Sequence, residues 1–459
     1  MSERYDSIVI GTGQAGPSLA VRLAAAGRKT AIIERKRIGG TCVNNGCIPT
    51  KTLIASARAA YVARHGGDFG VAIKGAIEVD MARVKARKDE VVCQSVDGVT
   101  RWLETTSGVS LIRGHARFES AHSVSVGDRL LEAGEIFVNV GGRANVPEMP
   151  GIGEIPHLDN STIMGVDFLP GHLVIVGGSY IGLEFAQMYR RFGSRVTVIE
   201  MAPRLIARED EEVSAAIKEI LEAEGIAFRL NAKCIAIARR GDGVAVQMSC
   251  DDEPREIVGS HLLLAVGRVP NTADLGLDKA GVATDARGYI VVDDELRTNV
   301  TGIWALGDAN GRGAFTHTSY NDYEIVAANL LDGEKRRVSD RIPTYALFID
   351  PPLGRAGMTE REVRTSGRKA LVATMPMTGV GRARERGETQ GFLKVLVDAE
   401  SRRILGAALL GIEGDEVVQG LLDVMYASAP YTVVRRAMHI HPTVAELIPT
   451  LLGNLQPLA

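Results

Sequence analysis

Two cysteines stand close together in Gly39-Gly40-Thr41-Cys42-Val43-Asn44-Asn45-Gly46-Cys47-Ile48-Pro49-Thr50-Lys51. Such a pair can cycle between dithiol and disulfide, form half of a zinc site, or be two unrelated buried thiols. A zinc site needs two more close ligands, and the neighbouring sequence offers none, so no metal is expected. On one regular helix the two Cα atoms would be roughly 8–9 Å apart, beyond the reach of a disulfide. The intervening Asn44-Asn45-Gly46 supplies an irregular turn that closes the gap. Pro49 suits the first turn of a following helix, which puts Cys47 near a helix N-terminus, where a thiolate is favoured. The remaining cysteines, Cys93, Cys234 and Cys250, are read as structural. A sparse, odd set of cysteines does not describe a secreted disulfide scaffold.

Two glycine-rich segments carry a different chemistry. In Ile8-Val9-Ile10-Gly11-Thr12-Gly13-Gln14-Ala15-Gly16, Gly11 permits a tight turn. Gly13 lets the backbone approach a pyrophosphate, and Gly16 lets helix and strand pack closely. Glu34 then stands where a carboxylate can accept ribose hydroxyls. The second copy is Gly177-Gly178-Ser179-Tyr180-Ile181-Gly182, with Glu200 as its acid. The offset from first glycine to acid is the same in both copies, so a whole βαβ unit is repeated and two nucleotide-binding domains are expected. Ser179 takes the middle glycine position and predicts a less close backbone approach. Glu200 would repel the 2′-phosphate of NADPH and so favours NADH, with Arg204 nearby to soften the preference.

Near the end, His441 and Glu446 lie in His439-Ile440-His441-Pro442-Thr443-Val444-Ala445-Glu446. A neutral imidazole oriented by a carboxylate is a suitable proton acceptor for a thiol. A lone histidine is more often structural, and His439 is read as secondary.

The elements that must position these residues follow from periodicity and turn signals. A strand Ser7–Ile10, a helix Gln14–Ala26 and a strand Thr30–Glu34 form the first unit. A strand Leu173–Val176, a helix ending at Phe192 and a strand Val196–Glu200 form the second. The span from Ala76 to Val140 reads as a helix followed by short strands, and Val146–Ile152 as a linker. Strands are expected at His261–Val266, Tyr289–Val292 and Ile303–Asp308, and a helix at Tyr320–Leu331. Beyond Pro343, strands at Lys394–Val397 and Leu405–Leu410 alternate with helices at Asp415–Ser428 and Val433–Ala437, which suggests a separate α+β domain.

The cysteine segment resembles the active-site signature of the pyridine nucleotide-disulfide oxidoreductases, the family of lipoamide dehydrogenase, glutathione reductase and mercuric reductase. The likeness extends over essentially the whole chain, including Trp304-Ala305-Leu306-Gly307-Asp308 and the His439–Glu446 segment. It implies an α/β fold with two Rossmann-type nucleotide-binding domains and a C-terminal α+β dimerisation domain. The boundaries expected are 1–150 and 272–340 for the FAD domain, 151–271 for the NAD(P) domain and 341–459 for dimerisation. It also implies FAD, a nicotinamide nucleotide and two-electron transfer through a Cys42–Cys47 disulfide. Cys47 would be the thiol facing the flavin, in charge-transfer contact with it, and Cys42 the thiol that meets the substrate. Lys51 would lie by the flavin and pair with Glu184; taken alone, both would be surface charges. Tyr180 resembles the residue that covers the flavin until the nicotinamide displaces it. Asp308 would bind the FAD ribityl or phosphate region, and Gly40, Thr41, His317 and Gly267 complete the expected cofactor contacts. The His441–Glu446 pair would come from the other subunit of a homodimer with a shared site. Asn45 departs from the family, which usually has an apolar residue there.

Paired C-terminal cysteines of the mercuric-reductase kind are absent from this chain. Phe315–Tyr323, Pro351–Glu360 and Gly381–Arg384 look like a mercuric-reductase-like bacterial subgroup that includes oxidant-responsive flavoproteins. The substrate expected is therefore a thiol or disulfide, a metal ion or an oxidant, with dihydrolipoamide dehydrogenase proper as the alternative. An alternative of another class is a flavin-bound redox sensor or a structural subunit of a multienzyme complex.

The chain has 459 residues, too long for one core, and a formal net charge of −3. That charge gives no electrostatic reason to expect nucleic acid or an anionic membrane as partner. No apolar stretch is long enough to span a bilayer, and the polar start Met1–Ser7 lacks signal-peptide features, so a cytoplasmic location is expected.

Overall fold

The computed structural model describes residues 2–250 and 253–458, with the side chains of 250, 253 and 254 outside the description. Two parallel sheets form its centre. The first has five strands in the order Ile303–Ala305, Glu135–Val138, Ser7–Ile10, Thr30–Glu34, Val109–Arg113. All four residues of Ser7–Ile10 are buried, as befits a strand covered by helices on both faces. The second parallel sheet has four strands, ordered Ala227–Arg229, Arg195–Ile199, His172–Val176, His261–Leu264. In each sheet the glycine turn follows the central strand and leads into a helix, Ala15–Ala25 or Tyr180–Phe192.

The C-terminal part is a six-stranded antiparallel sheet. Its core strands, Phe392–Asp398 and Ile404–Leu410, carry the helix Gly414–Tyr426 against them. The α/β architecture and the separate C-terminal α+β unit agree with the sequence expectation. Among the described residues, no helix is long and apolar enough to cross a membrane.

Four local expectations are corrected. Tyr289–Val292 is not a strand; only an isolated bridge, Thr284 to Ile290, forms there. Asp285 Oδ1 accepts the backbone N–H groups of Arg287 and Tyr289, a local turn that competes with sheet pairing. The strand starting at Ile303 stops at Ala305, and Gly307–Asn310 forms a 3-10 turn. The helix expected from Tyr320 begins at Thr316, because the Thr318 hydroxyl accepts the Phe315 N–H and caps the earlier turn. A three-stranded antiparallel sheet over Ala232–Arg240, Gly243–Cys250 and Glu253–Gly259 was not foreseen.

Candidate active site

Gly11 has φ of +105°, and a Cβ there would stand 2.3 Å from the Asn139 carbonyl oxygen. A Cβ on Gly16 would stand 2.1 Å from the Gly11 carbonyl oxygen. The second unit repeats both contacts, with Gly177 against the Ala265 oxygen at 2.4 Å and Gly182 against the Gly177 oxygen at 2.0 Å. Glycine is thus imposed by backbone packing in both turns. Gly11→Ala is expected to lower stability by more than about 1 kcal/mol; an unchanged urea midpoint would contradict this steric reading.

The acids close each turn. Glu34 Oε2 accepts the Thr12 backbone N–H at 3.0 Å and its hydroxyl at 2.6 Å, while Oε1 accepts the Lys36 N–H at 2.8 Å. Glu200 accepts the Gly178 N–H at 2.6 Å and the Ala202 N–H at 2.8 Å. Arg204 is engaged with Glu211 at 2.9 Å and with the Ala207 carbonyl. Ser179 is extended, at φ −109° and ψ −169°, and Tyr180 starts the helix.

The cysteine segment is two abutting helices, Gly40–Asn45 and Cys47–Arg64. Asn44 and Asn45 are helical, so the expected irregular turn narrows to Gly46 alone, at φ −129° and ψ −120°. A Cβ on Gly46 would lie 2.8 Å from the Thr41 carbonyl oxygen, which lets the two helices meet closely. A Cβ on Gly40 would lie 2.7 Å from the Gly13 Cα, so this segment packs directly on the first glycine turn. Asn45, the departure from the family pattern, donates to Ser161 Oγ at 2.6 Å, and its carbonyl accepts from Asn160.

Both cysteines are thiols here, with Cys47 exposed. The Cys42 thiol hydrogen-bonds the Cys47 sulfur, and this bond is the main cause that brings the Cys47 thiol down to about 6. Burial opposes that shift, while the Thr316 hydroxyl, 3.1 Å from Cys47 Sγ, and the Lys51 charge add to it. The same bond, with burial, pushes the Cys42 thiol far up. The pair is therefore polarised, with the thiolate on Cys47 and the proton on Cys42. Cys93 and Cys234, read as structural from the sequence, are exposed; Cys250 lies outside the described side chains.

Lys51 Nζ donates to both Glu184 oxygens, at 3.0 and 2.8 Å, and lies 4.3 Å from the Phe348 ring centre. Glu184 is buried, so this is not the surface pair the sequence alone suggests. Asp308 is held by Arg268 at 3.4 Å, and burial pushes its carboxyl up. His317 donates Nε2–H to the Thr344 carbonyl at 2.8 Å and stacks on Phe315; burial lowers its pKa. Gly267 takes φ of +101° in open space.

These groups share one cavity of about 2870 Å³. It is lined by the first glycine turn, Glu34, Gly40, Thr41, both cysteines, Lys51, Tyr180, Glu184, Gly267, Asp308 and His317. It exceeds the few hundred to about 1,000 Å³ of a small-molecule site and suits an extended dinucleotide. Asn139 Nδ2, buried and without a hydrogen-bond partner, lies against Gly13 and Gly16 and fits a polar ligand at this turn.

His441 and Glu446 stand apart from that lining. His441 Nδ1–H donates to Glu446 at 2.9 and 3.1 Å, which leaves Nε2 as the free acceptor. The imidazole is 80% exposed in the single chain. Thr316, Asn139 and Arg268 were missed from the sequence; each lies far along the chain from the motif it serves, and no local spacing signals it.

The pyridine nucleotide-disulphide oxidoreductase model matches residues 5–322, and the dimerisation domain of the same family matches residues 343–452. The chain is 39% identical over 452 residues to the probable pyridine nucleotide-disulfide oxidoreductase RclA of Escherichia coli, covering 96% of this chain and 97% of that protein. It is 32% identical to the dihydrolipoyl dehydrogenase of Cupriavidus necator, covering 98% and 97%, and 31% identical to the mercuric reductase of Streptomyces lividans, covering 97% and 94%. The solved Cu(II) complex of the HOCl-induced flavoprotein disulfide reductase RclA from Escherichia coli matches with a TM-score of 0.90 at 38% identity, covering 98% of this chain and 99% of that one. With both domain models matched in order and the motif geometry intact, the chain belongs to the pyridine nucleotide-disulphide oxidoreductase family.

Proposed function

We propose that this protein is an FAD-dependent NADH:acceptor oxidoreductase that draws electrons through the Cys42–Cys47 pair to a disulfide or oxidant. The observation that carries this reading is the placement of the pair: two cysteines on abutting helices that meet at Gly46, both lining the cavity of the first glycine turn beside Lys51 and Glu184. FAD, when bound, relays two electrons between the nicotinamide and the cysteines. The first glycine turn and Glu34 would hold its adenosine diphosphate part, Asp308 its ribityl or phosphate region, and Lys51, fixed by Glu184, its ring. Residues 1–150 and 272–340 then form the FAD domain, 151–271 the nicotinamide domain and 341–459 the dimerisation domain.

Reduction of the disulfide takes two electrons and leaves a thiolate on Cys47 and, with one proton, a thiol on Cys42. Cys42 must lose that proton before it attacks an acceptor sulfur. His441 Nε2, oriented through Nδ1–H by Glu446, is the proton acceptor. Attack breaks the acceptor S–S bond, releases one thiolate that takes the proton held on His441, and leaves a mixed disulfide on Cys42. The Cys47 thiolate then reforms the Cys42–Cys47 bond and releases the second thiolate, which is protonated from solvent.

Because His441 is outside the cavity of its own chain, the partner subunit of the homodimer is the supplier of the base. Met438 and Ile440, 99% and 79% exposed beside it, support this, since a dimer covers such apolar side chains. The oriented imidazole also speaks against a sensor or structural subunit, which needs no proton relay.

Glu200, held by two backbone N–H groups and with Arg204 tied to Glu211, favours NADH. The kcat/KM for NADH is expected to exceed that for NADPH by about tenfold or more. Equal or reversed values in steady-state kinetics would move the preference to another group. The acceptor is tested with an NADH-driven panel of lipoamide, oxidised glutathione, Hg(II), Cu(II) and hypothiocyanous acid. Lipoamide as by far the best acceptor would establish the dihydrolipoamide dehydrogenase reading instead, and no steady turnover with any of them would favour the sensor.

A further inference from the structure

His317, Phe315 and Tyr345 form a column of parallel rings. Phe315 lies 5.3 Å from His317 at 10° and 5.6 Å from Tyr345 at 13°. The His317 bond to the Thr344 carbonyl fastens one end of the column to the strand that carries Tyr345. Tyr180 stands edge-on to this column, at 86° to Phe315 and 85° to Tyr345. The column is a fixed wall, and Tyr180 is a separate piece leaning on it.

The hydroxyls of Tyr180 and Tyr345 converge on one oxygen of Glu209. Tyr345 makes a close hydrogen bond to Oε1, whereas the Tyr180 hydroxyl reaches the same atom at 3.5 Å, the outer limit for such a bond. Glu209 is 1% exposed, and its other oxygen has no hydrogen-bond donor. Arg355, equally buried, places its guanidinium 3.8 Å from that second oxygen, too far to replace a donor. The loop bearing Glu209 is also tied to the second glycine turn, since the Ile206 N–H donates to the Gly178 carbonyl at 3.0 Å. Arg208, 5.2 Å above the ring, is a further hold on Tyr180.

A buried carboxylate oxygen that loses its last donor bears the full cost of desolvation. With Tyr345 present, Tyr180 can leave and Glu209 keeps a donor. Without the Tyr345 hydroxyl, the departure of Tyr180 strips Oε1 of both phenols. We propose that Tyr345 is a positioning residue for nicotinamide access: by keeping Glu209 satisfied, it makes the displacement of Tyr180 cheap. The inference rests on the reading of Tyr180 as the side chain that the nicotinamide displaces.

The test uses the FAD-loaded enzyme and four variants, each checked for an unchanged fold by thermal melting. Tyr345→Phe keeps the ring stack and is expected to raise KM for NADH by about fivefold or more. Its kcat at saturating NADH should stay within about twofold of the parent. Tyr180→Phe has no hydroxyl for Glu209 to retain, and its KM is the reference against which the double variant is read. The double variant Tyr180→Phe/Tyr345→Phe should return KM towards that reference, because the hold created by the first change needs the Tyr180 hydroxyl. An unchanged KM in Tyr345→Phe, or a double variant no better than Tyr345→Phe alone, overturns the proposal. Tyr180→Ala separates the two layers of the argument. If it leaves the stopped-flow rate of reduction by NADH untouched, the displacement reading itself fails and the inference falls with it. If it alters that rate while Tyr345→Phe does not, only the role of Tyr345 is lost.

Discussion

A Cys47→Ser chain is expected to bind FAD yet lose NADH-driven disulfide reduction by about three orders of magnitude or more, because the resolving thiolate is gone. Cofactor binding should persist, since the contacts of the first glycine turn and Glu34 do not involve the thiol. Cys42→Ser should lose turnover equally but differ in spectrum. It leaves Cys47 with a hydroxyl neighbour able to donate, so the thiolate is retained, and a red-shifted flavin absorption band should be visible without any reductant. Cys47→Ser should lack that band. Anaerobic NADH titration of both variants, followed in the visible, decides the matter: the band surviving in Cys47→Ser would reverse the assignment of the two thiols.

The pH dependence has a definite sign. Alkylation of reduced Cys47 by iodoacetamide should rise with pH around about 6, rather than around the ordinary thiol value of 9.0. The Cys42 hydrogen bond is the largest cause of that lowering, so Cys42→Ala should move the rise upward. A profile unmoved by that change would transfer the effect to Thr316 and Lys51.

Replacing His441 by alanine should slow disulfide turnover by about 10²–10⁴-fold, the usual worth of a positioned proton acceptor. The loss should lie in the exchange half of the cycle, with reduction by NADH little affected. Because Cys42 is strongly protonated beside the Cys47 thiolate, it cannot attack without such a base. Neither a Cys47→Ser dimer nor a His441→Ala dimer has an intact site. A heterodimer of the two has one if the base crosses the interface, and should show about half the activity of the parent dimer. If His441 serves its own chain, the verified heterodimer has none, and inactivity would falsify the shared site.

Much of this was legible in the sequence, and the particular residues explain why. The last glycine of each turn and the helix start at Cys47 depend on atoms a few residues apart, and each acid follows its turn at one repeated offset. There the steric demand is written directly: a Cβ at Gly16 meets the Gly11 carbonyl, and one at Gly182 meets the Gly177 carbonyl. Hydrophobic runs such as Ser7–Ile10 likewise declare a doubly covered strand. Tyr289–Val292 was misread because an extended apolar run fits a strand as well as a loop, and the Asp285 turn that decided it competes through side-chain bonds.

Only the tertiary structure decided which distant side chains meet. Glu184 lies 133 residues from Lys51, and Thr316 lies 269 residues from Cys47, so no periodicity links them. Arg355 and Lys394 are both buried, next to Glu209 and Asp210, charges from segments far apart in the chain. Tyr345 and Tyr180 acquire a common acceptor only when the strand of one and the helix of the other pack on the same loop. Local sterics and turn chemistry act over a few residues and can be read from spacing. The burial of a charge and the sharing of one carboxylate depend on the low-dielectric surroundings that the folded chain assembles from separate segments, and those exist only once it has folded.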